Sequence, residues 1–146
     1  MIIKRILGVD LGDKRTGVAV TDPTGTLAGG IELIVADRQS DLGQKIMALA
    51  EKYEVSEIVL GYPVNMNGTI GESAKKAEHF KNILEELINQ KGMEIAVALF
   101  DERLSTSLAH VYMNQSGIKS KNRKEKVDML SAQIILQDYI DRKKNI

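Results

Sequence analysis

Residues Ile6-Leu7-Gly8-Val9-Asp10-Leu11-Gly12 form a short apolar run with one acid in it. Such a run reads as a strand near the N-terminus, spanning roughly Lys4 to Gly12. Side chains alternate across a strand, so Leu7, Val9 and Leu11 share one face and Ile6, Gly8, Asp10 and Gly12 the other. Asp10 therefore projects alone, with a glycine two residues away on either side. Glycine gives a strand nothing to pack, and close approach by a ligand is one reason to accept that. A carboxylate in a cleared patch of sheet can hold a metal ion and let a phosphate come near. The plainer interpretation is a strand-end acid before a glycine turn. The choice depends on whether other acids converge on the same place.

Working outward, 146 residues are enough for one domain, 1–146, with a real core. Apolar residues make up 43% and charged residues 27%, which argues against disorder. The chain has no cysteine, which excludes disulfides, thiolate zinc sites and cysteine nucleophiles and suits a reducing compartment. His79 and His110 are its two histidines, too few for a multi-histidine metal site, and neither lies in a recognisable catalytic motif. There is no signal-peptide core and no run approaching a membrane span, so a cytoplasmic protein without a membrane partner is expected. Twenty basic residues balance twenty acidic ones, so any nucleic-acid binding must come from a local patch.

Thr16 to Thr21 reads as a second strand, Asp22-Pro23-Thr24-Gly25 as a turn, and Thr26 to Val35 as a third strand, making an antiparallel meander. The period then changes. Leu42, Ile46, Leu49, Ala50 and Tyr53 fall at helical spacing, with Ser40 or Asp41 available as a cap. Glu57 to Gly61 is a nearly continuous apolar strand, as in a buried parallel position. A helix from about Ser73 to Gln90 should turn Ala77, Phe80, Ile83, Leu84, Leu87 and Ile88 inward and end at Gly92. A fifth strand runs from Met93 to Phe100. Ser105 or Thr106 opens a helix that stops near Gly117, and a last helix takes the chain nearly to its end. The right-handed crossover rule puts the later strands parallel in the same sheet. The expected fold is α/β: a five-stranded mixed sheet with helices on both faces.

Ligands favour the carboxyl ends of strands in such sheets. Asp10 lies near one, and Asp101-Glu102 near another. Alternation lets only one of that pair face as Asp10 does. Glu94, Ala96, Ala98, Phe100 and Glu102 form the set with small residues, which favours Glu102 and leaves Asp101 as a structural partner or an acid that supports the ligands from behind. On the last helix, Asp128 leads an inward stripe of Ala132, Ile135, Leu136 and Tyr139. An acid there is costly to bury unless paired or metal-bound, although a first-turn acid is also favoured by the helix dipole. Three carboxylates suit hard cations, Mg²⁺ or Mn²⁺. Two such ions about 3.5–4 Å apart can clamp a phosphodiester in line.

With those residues placed, the sequence resembles the YqgF/RuvX family of the ribonuclease H-like superfamily along almost its whole length. The resemblance rests on four motifs in order: Gly8 to Ala19, Gly61 to Gly68, Asp101 to Thr106, and Lys126 to Ala132. It implies a ribonuclease H-like fold and a metal-dependent nuclease, with Asp10, Glu102 and Asp128 as metal ligands and catalytic acids. The choice of Glu102 over Asp101 leans on that resemblance. The family further implies maturation of the 5′ end of pre-16S rRNA in ribosome biogenesis, and a likeness to Holliday-junction resolvases.

Lys119, Lys121, Arg123, Lys124 and Lys126 immediately precede Asp128 and, with Ser116 and Gly117 before them and Ser120 and Asn122 among them, read as a flexible basic loop that tracks a phosphate backbone. Lys14 and Arg15 in the first hairpin are a second candidate phosphate contact. The loop from Gly61 to Gly68 reads as a wall of the cleft. Aromatic residues are 4% and not interleaved with the basic run, so recognition by shape and backbone is expected over base stacking. The expected partner is structured RNA, with branched DNA as the alternative substrate and a non-catalytic ribosome- or nucleic-acid-binding protein as the alternative class. A monomer or weak homodimer is expected.

Overall fold

The structure, a computed structural model, describes residues 5–65, 67–101 and 120–144, with side chains in the last segment described from 130 to 143. Three strands open the chain: β1 (Arg5–Asp10), β2 (Arg15–Thr21) and β3 (Ala28–Val35). The turn after β2 is held by one side chain. The Asp22 carboxylate accepts hydrogen bonds from the Thr26 amide (2.9 Å), the Leu27 amide (3.1 Å) and the Thr24 hydroxyl (2.7 Å). Gly25 closes the turn at φ 73°, where a side chain would be strained.

Helix α1 (Gln39–Lys52), strand β4 (Val55–Tyr62), helix α2 (Glu72–Lys91), strand β5 (Ala96–Asp101) and helix α3 (Ser120–Lys144) complete the described chain. The strands form one sheet in the order β3-β2-β1-β4-β5. The β1–β2 and β2–β3 pairs are antiparallel; β1–β4 and β4–β5 are parallel. This is the expected mixed sheet. Two apolar clusters cover its two faces. Leu7, Val9, Val18, Ile58 and Leu60 meet α1 and α2 through Ile46, Met47, Phe80 and Leu84. Ile6, Ala19 and Val59 meet α3 through Ala132, Ile135, Leu136 and Ile140. The alternation along Ile6 to Asp10 is therefore as expected, and burying each set against its own helices removes both faces from water.

Three local expectations are corrected. The N-cap of α1 is Arg38, with no side-chain cap bond, so Ser40 and Asp41 lie inside its first turn, where Asp41 complements the dipole. The basic stretch is not a loop over residues 120–126. Those residues form the first turns of α3. Lys, Arg and Glu are good helix formers, and from Ser120 onward the segment has no glycine or proline to interrupt it. The third correction concerns Gly8. A Cβ there would stand 2.8 Å from the Leu136 Cβ and 3.3 Å from the Ala132 carbonyl oxygen, so the gap is filled by α3 and not by a ligand. By contrast, Gly92 ends α2 in the left-handed region at φ 65°, as its position predicted. The helix expected from Ser105 or Thr106 to Gly117 lies outside the described residues.

Candidate functional site

Asp10 is the last residue of β1 and is half-buried. The strand stops there because the chain turns sharply: a Cβ on Gly12 would stand 2.0 Å from the Arg15 carbonyl oxygen. The register around Asp10 matters most. On β2 its direct partner is Gly17. On β4 the pairing runs to Val9 with Leu60, so the next residue, Gly61, stands at the level of Asp10. Paired residues of neighbouring strands share a face. The Asp10 side chain thus leaves the sheet between two strands that offer no side chain beside it. Sequence reasoning found the glycines along β1 and missed these two across it. Both were visible in their motifs, but only the register brings them together.

That face belongs to α3. Glu57, paired with Ile6, accepts hydrogen bonds from the Tyr139 hydroxyl and from Lys143 Nζ (2.9 Å). Two residues further along β1, Gly8 meets Leu136 and Ala132. The helix thus runs antiparallel to β1, with its first turns toward the Asp10 end. Gln137 pins the same helix to β3, accepting from the Ala28 amide (2.9 Å) and donating to the Thr26 carbonyl (3.2 Å). Burial pushes the Tyr139 hydroxyl above its usual range, and its bond to the Glu57 carboxylate adds to this. The bond to Glu57 raises Lys143 likewise, against a smaller effect of burial.

Of the three predicted acids, Asp10 is the one whose side chain is described. Glu102 lies outside the described residues. Position 128 lies in α3, one turn before Ala132, with its side chain outside the description. Among the described residues no group of three histidine, aspartate or glutamate side chains is placed to hold a metal. Phe100 packs on the α3 side, edge-on to Tyr139 with ring centroids 5.8 Å apart, while Leu99 packs toward α1 and α2. The even-numbered set on β5 therefore shares the face of Asp10, and Asp101 belongs to the other. Lys14 is exposed in the turn after Asp10, and Arg15 opens β2. Lys119 lies outside the described residues, while Lys121, Arg123 and Lys124 lie on the first turns of α3. In the loop after β4, Asn65 and Thr69 close on each other, with the Asn65 amide donating to the Thr69 carbonyl (3.0 Å). The Tyr62 hydroxyl donates to Glu78 of α2 and fixes the start of that loop.

A mixed sheet of this order, with helices on one face and a terminal helix across the other, is the ribonuclease H-like fold. Its solved likenesses agree in fold. RuvC of Thermus thermophilus in complex with a Holliday junction substrate matches with a TM-score of 0.58 at 12% identity, over 97% of this chain and 96% of that one. The fowlpox virus Holliday junction resolvase matches with a TM-score of 0.56 at 12% identity, over 94% and 99%. The chain belongs to the RuvX family, described as Holliday junction resolvase, which matches residues 4–142. A relative from Ruminiclostridium cellulolyticum is 43% identical over 141 residues, covering 94% of both chains. Another from a Geobacillus species is 41% identical over 141 residues, covering 95% of this chain and 99% of the relative. Both carry the name "Putative pre-16S rRNA nuclease". Among the described residues no helix is long and apolar enough to cross a membrane.

Proposed function

We propose that this chain cleaves structured RNA at a divalent-metal site formed by Asp10, Glu102 and Asp128, and that its substrate is the 5′ end of pre-16S rRNA. The observation that carries the site is Asp10 at the carboxyl end of the central strand, between Gly17 and Gly61. Neither glycine sets a side chain of its own beside the carboxylate. The antiparallel course of α3 supports Asp128. Four helical residues back from Ala132 is a step of about 6 Å, and two strand residues on from Gly8 is a step of about 6.6 Å. Helix position 128 and strand position 10 thus advance together. Alternation through Phe100 supports Glu102 on the same face.

The donor set, carboxylate oxygens alone, fits Mg²⁺ or Mn²⁺. Such ions when bound would generate the attacking hydroxide and neutralise charge on the leaving oxygen. The protein's own part is to hold its carboxylates on rigid elements, a strand end and a helix, and to keep the neighbouring strands free of side chains. Lys14 and Arg15 follow Asp10, Lys121, Arg123 and Lys124 lie on the first turns of α3, and together with Lys119 they are proposed to supply the attraction for phosphate. The names of the curated relatives favour pre-16S rRNA. The family description favours a second substrate, the four-way DNA junction.

The test compares cleavage of a pre-16S 5′ leader with that of a four-way junction, in Mg²⁺ or Mn²⁺, by wild type and Asp10→Asn. RNA cleavage lost in the variant, with binding retained, is the expected result. Junction cleavage alone would transfer the site to branched DNA. Equal trace cleavage by both proteins would leave a binding protein.

A further inference from the structure

The carboxyl end of β1 has a second side. Leu11, the residue after Asp10, packs toward α1 and α2. A cavity of about 450 Å³ opens there, between the β1–β2 turn and the first turns of the two helices. Leu11, Ala36 and Leu42 give it an apolar wall. Its rim carries Arg38, Lys75, Lys76 and His79. Two acids stand at its edge, Asp13 and Asp37, and Asp13 is engaged by Lys76 at 3.0 Å. Three permanent cations against two carboxylates leave the rim positive. Both helices add to this. The N-caps are Arg38 and Gly71, and neither makes a side-chain cap bond, so the first-turn N–H groups receive no side-chain oxygen from them.

A bare phosphate would use the rim and leave the apolar wall idle. A purely apolar ligand would meet three cations. The volume falls within the usual span of small-molecule sites. We propose that this cavity binds one nucleotide unit, its phosphate at Arg38 and Lys75 and its sugar–base body against Leu11, Ala36 and Leu42. The unit comes either from free nucleoside monophosphate or from a substrate strand that crosses the Gly12–Asp13 turn. Asp10 and Leu11 are consecutive and face opposite sides of the sheet, so such a strand would meet the reaction centre and the cavity in succession. This second source rests on the nuclease reading above; the cavity's chemistry does not.

Titration of the full chain with uridine 5′-monophosphate, followed by amide NMR shifts, tests it. Wild type should show saturable shifts at Gly12, Ala36, Gln39 and Ser73. The Arg38→Ala/Lys75→Ala double variant should bind at least about 10-fold more weakly, as expected for lost charged hydrogen bonds. Both residues are exposed, so the variant should fold. Lys76 is kept because its removal would free Asp13. The same titration of Asp10→Asn protein with a single-stranded RNA oligomer separates the sources. Shifts with the monophosphate identify a free-nucleotide site. Shifts with the oligomer alone, lost in the double variant, identify a subsite for the bound strand. If neither ligand moves these amides, or the double variant binds as wild type does, the proposal is overturned. Each readout is binding, so failure to cleave would count against the nuclease reading and not against this one.

Discussion

Gly8 of β1 and Leu136 of α3 meet so closely that a Cβ on the first would stand 2.8 Å from the Cβ of the second. That contact sets how near the terminal helix lies to the strand that ends in Asp10. Gly8→Ala should push the helix outward and destabilise the fold by about 1–3 kcal/mol, as overpacking does. Denaturant unfolding would show the loss as a lower midpoint. An unchanged midpoint would mean the helix has room to shift.

The glycines on both sides of Asp10 make a second prediction. Gly61→Ala sets a methyl at the level of the carboxylate. Its expected effect is a fall in turnover with nucleic-acid affinity retained. Asp10→Asn should cost more. Loss of a metal ligand's supporting partner alone costs about 10–100-fold, so loss of Asp10, the proposed ligand, should take cleavage below that. Turnover measured across a Mg²⁺ titration checks both. Gly61→Ala at wild-type rate would show that a side chain at this level does not disturb the site.

Residues 120–126 are helical, and alanine preserves a helix. Lys121→Ala/Arg123→Ala/Lys124→Ala should therefore keep the fold while weakening RNA binding. If all three contact phosphate, the slope of log affinity against log salt should become shallower by about 2, at roughly 0.7 per contact on single strands. A slope identical to wild type would remove the basic run from the interface.

Alkaline stability should report the Glu57 cluster. Tyr139 and Lys143 are both raised from ordinary values of 10.0 and 10.5. The folded state thus favours their protonated forms. That stabilisation is complete below the unfolded values and is lost as pH rises through the folded ones. Thermal melting should fall more steeply above about pH 10 in wild type than in Glu57→Gln. Parallel curves would show that the cluster contributes nothing at its titration.

Acid reports the first hairpin turn in the opposite sense. The Thr24 hydroxyl, with the Thr26 and Leu27 amides, holds the Asp22 carboxyl below its ordinary 3.8. Its contribution is present above that value and is lost as pH falls through the folded one. Asp22→Asn should melt lower at neutral pH and lose less on acidification. Matching acid profiles in the two proteins would contradict this.

Much of this was legible along the chain because local rules act over a few residues. Alternation from Ile6 to Asp10 separated the two faces, helical spacing found the buried stripe of α2, and Gly92 marked its end. The motifs carried the family. Alternation along β5 also set Phe100 and Leu99 on opposite faces. What the chain could not show is what covers each face. Periodicity says that Gly8 is bare; only the packed helix says that Leu136 fills it. Gly17 and Gly61 lie far apart in sequence from one another, and the register of β1 with two other strands sets them on either side of Asp10. The cavity at Arg38 and Lys75 likewise needs two helices and a turn from three separate segments. Pairing and packing are sums over the whole molecule, so local pattern determined the elements, and tertiary structure alone decided which of them meet.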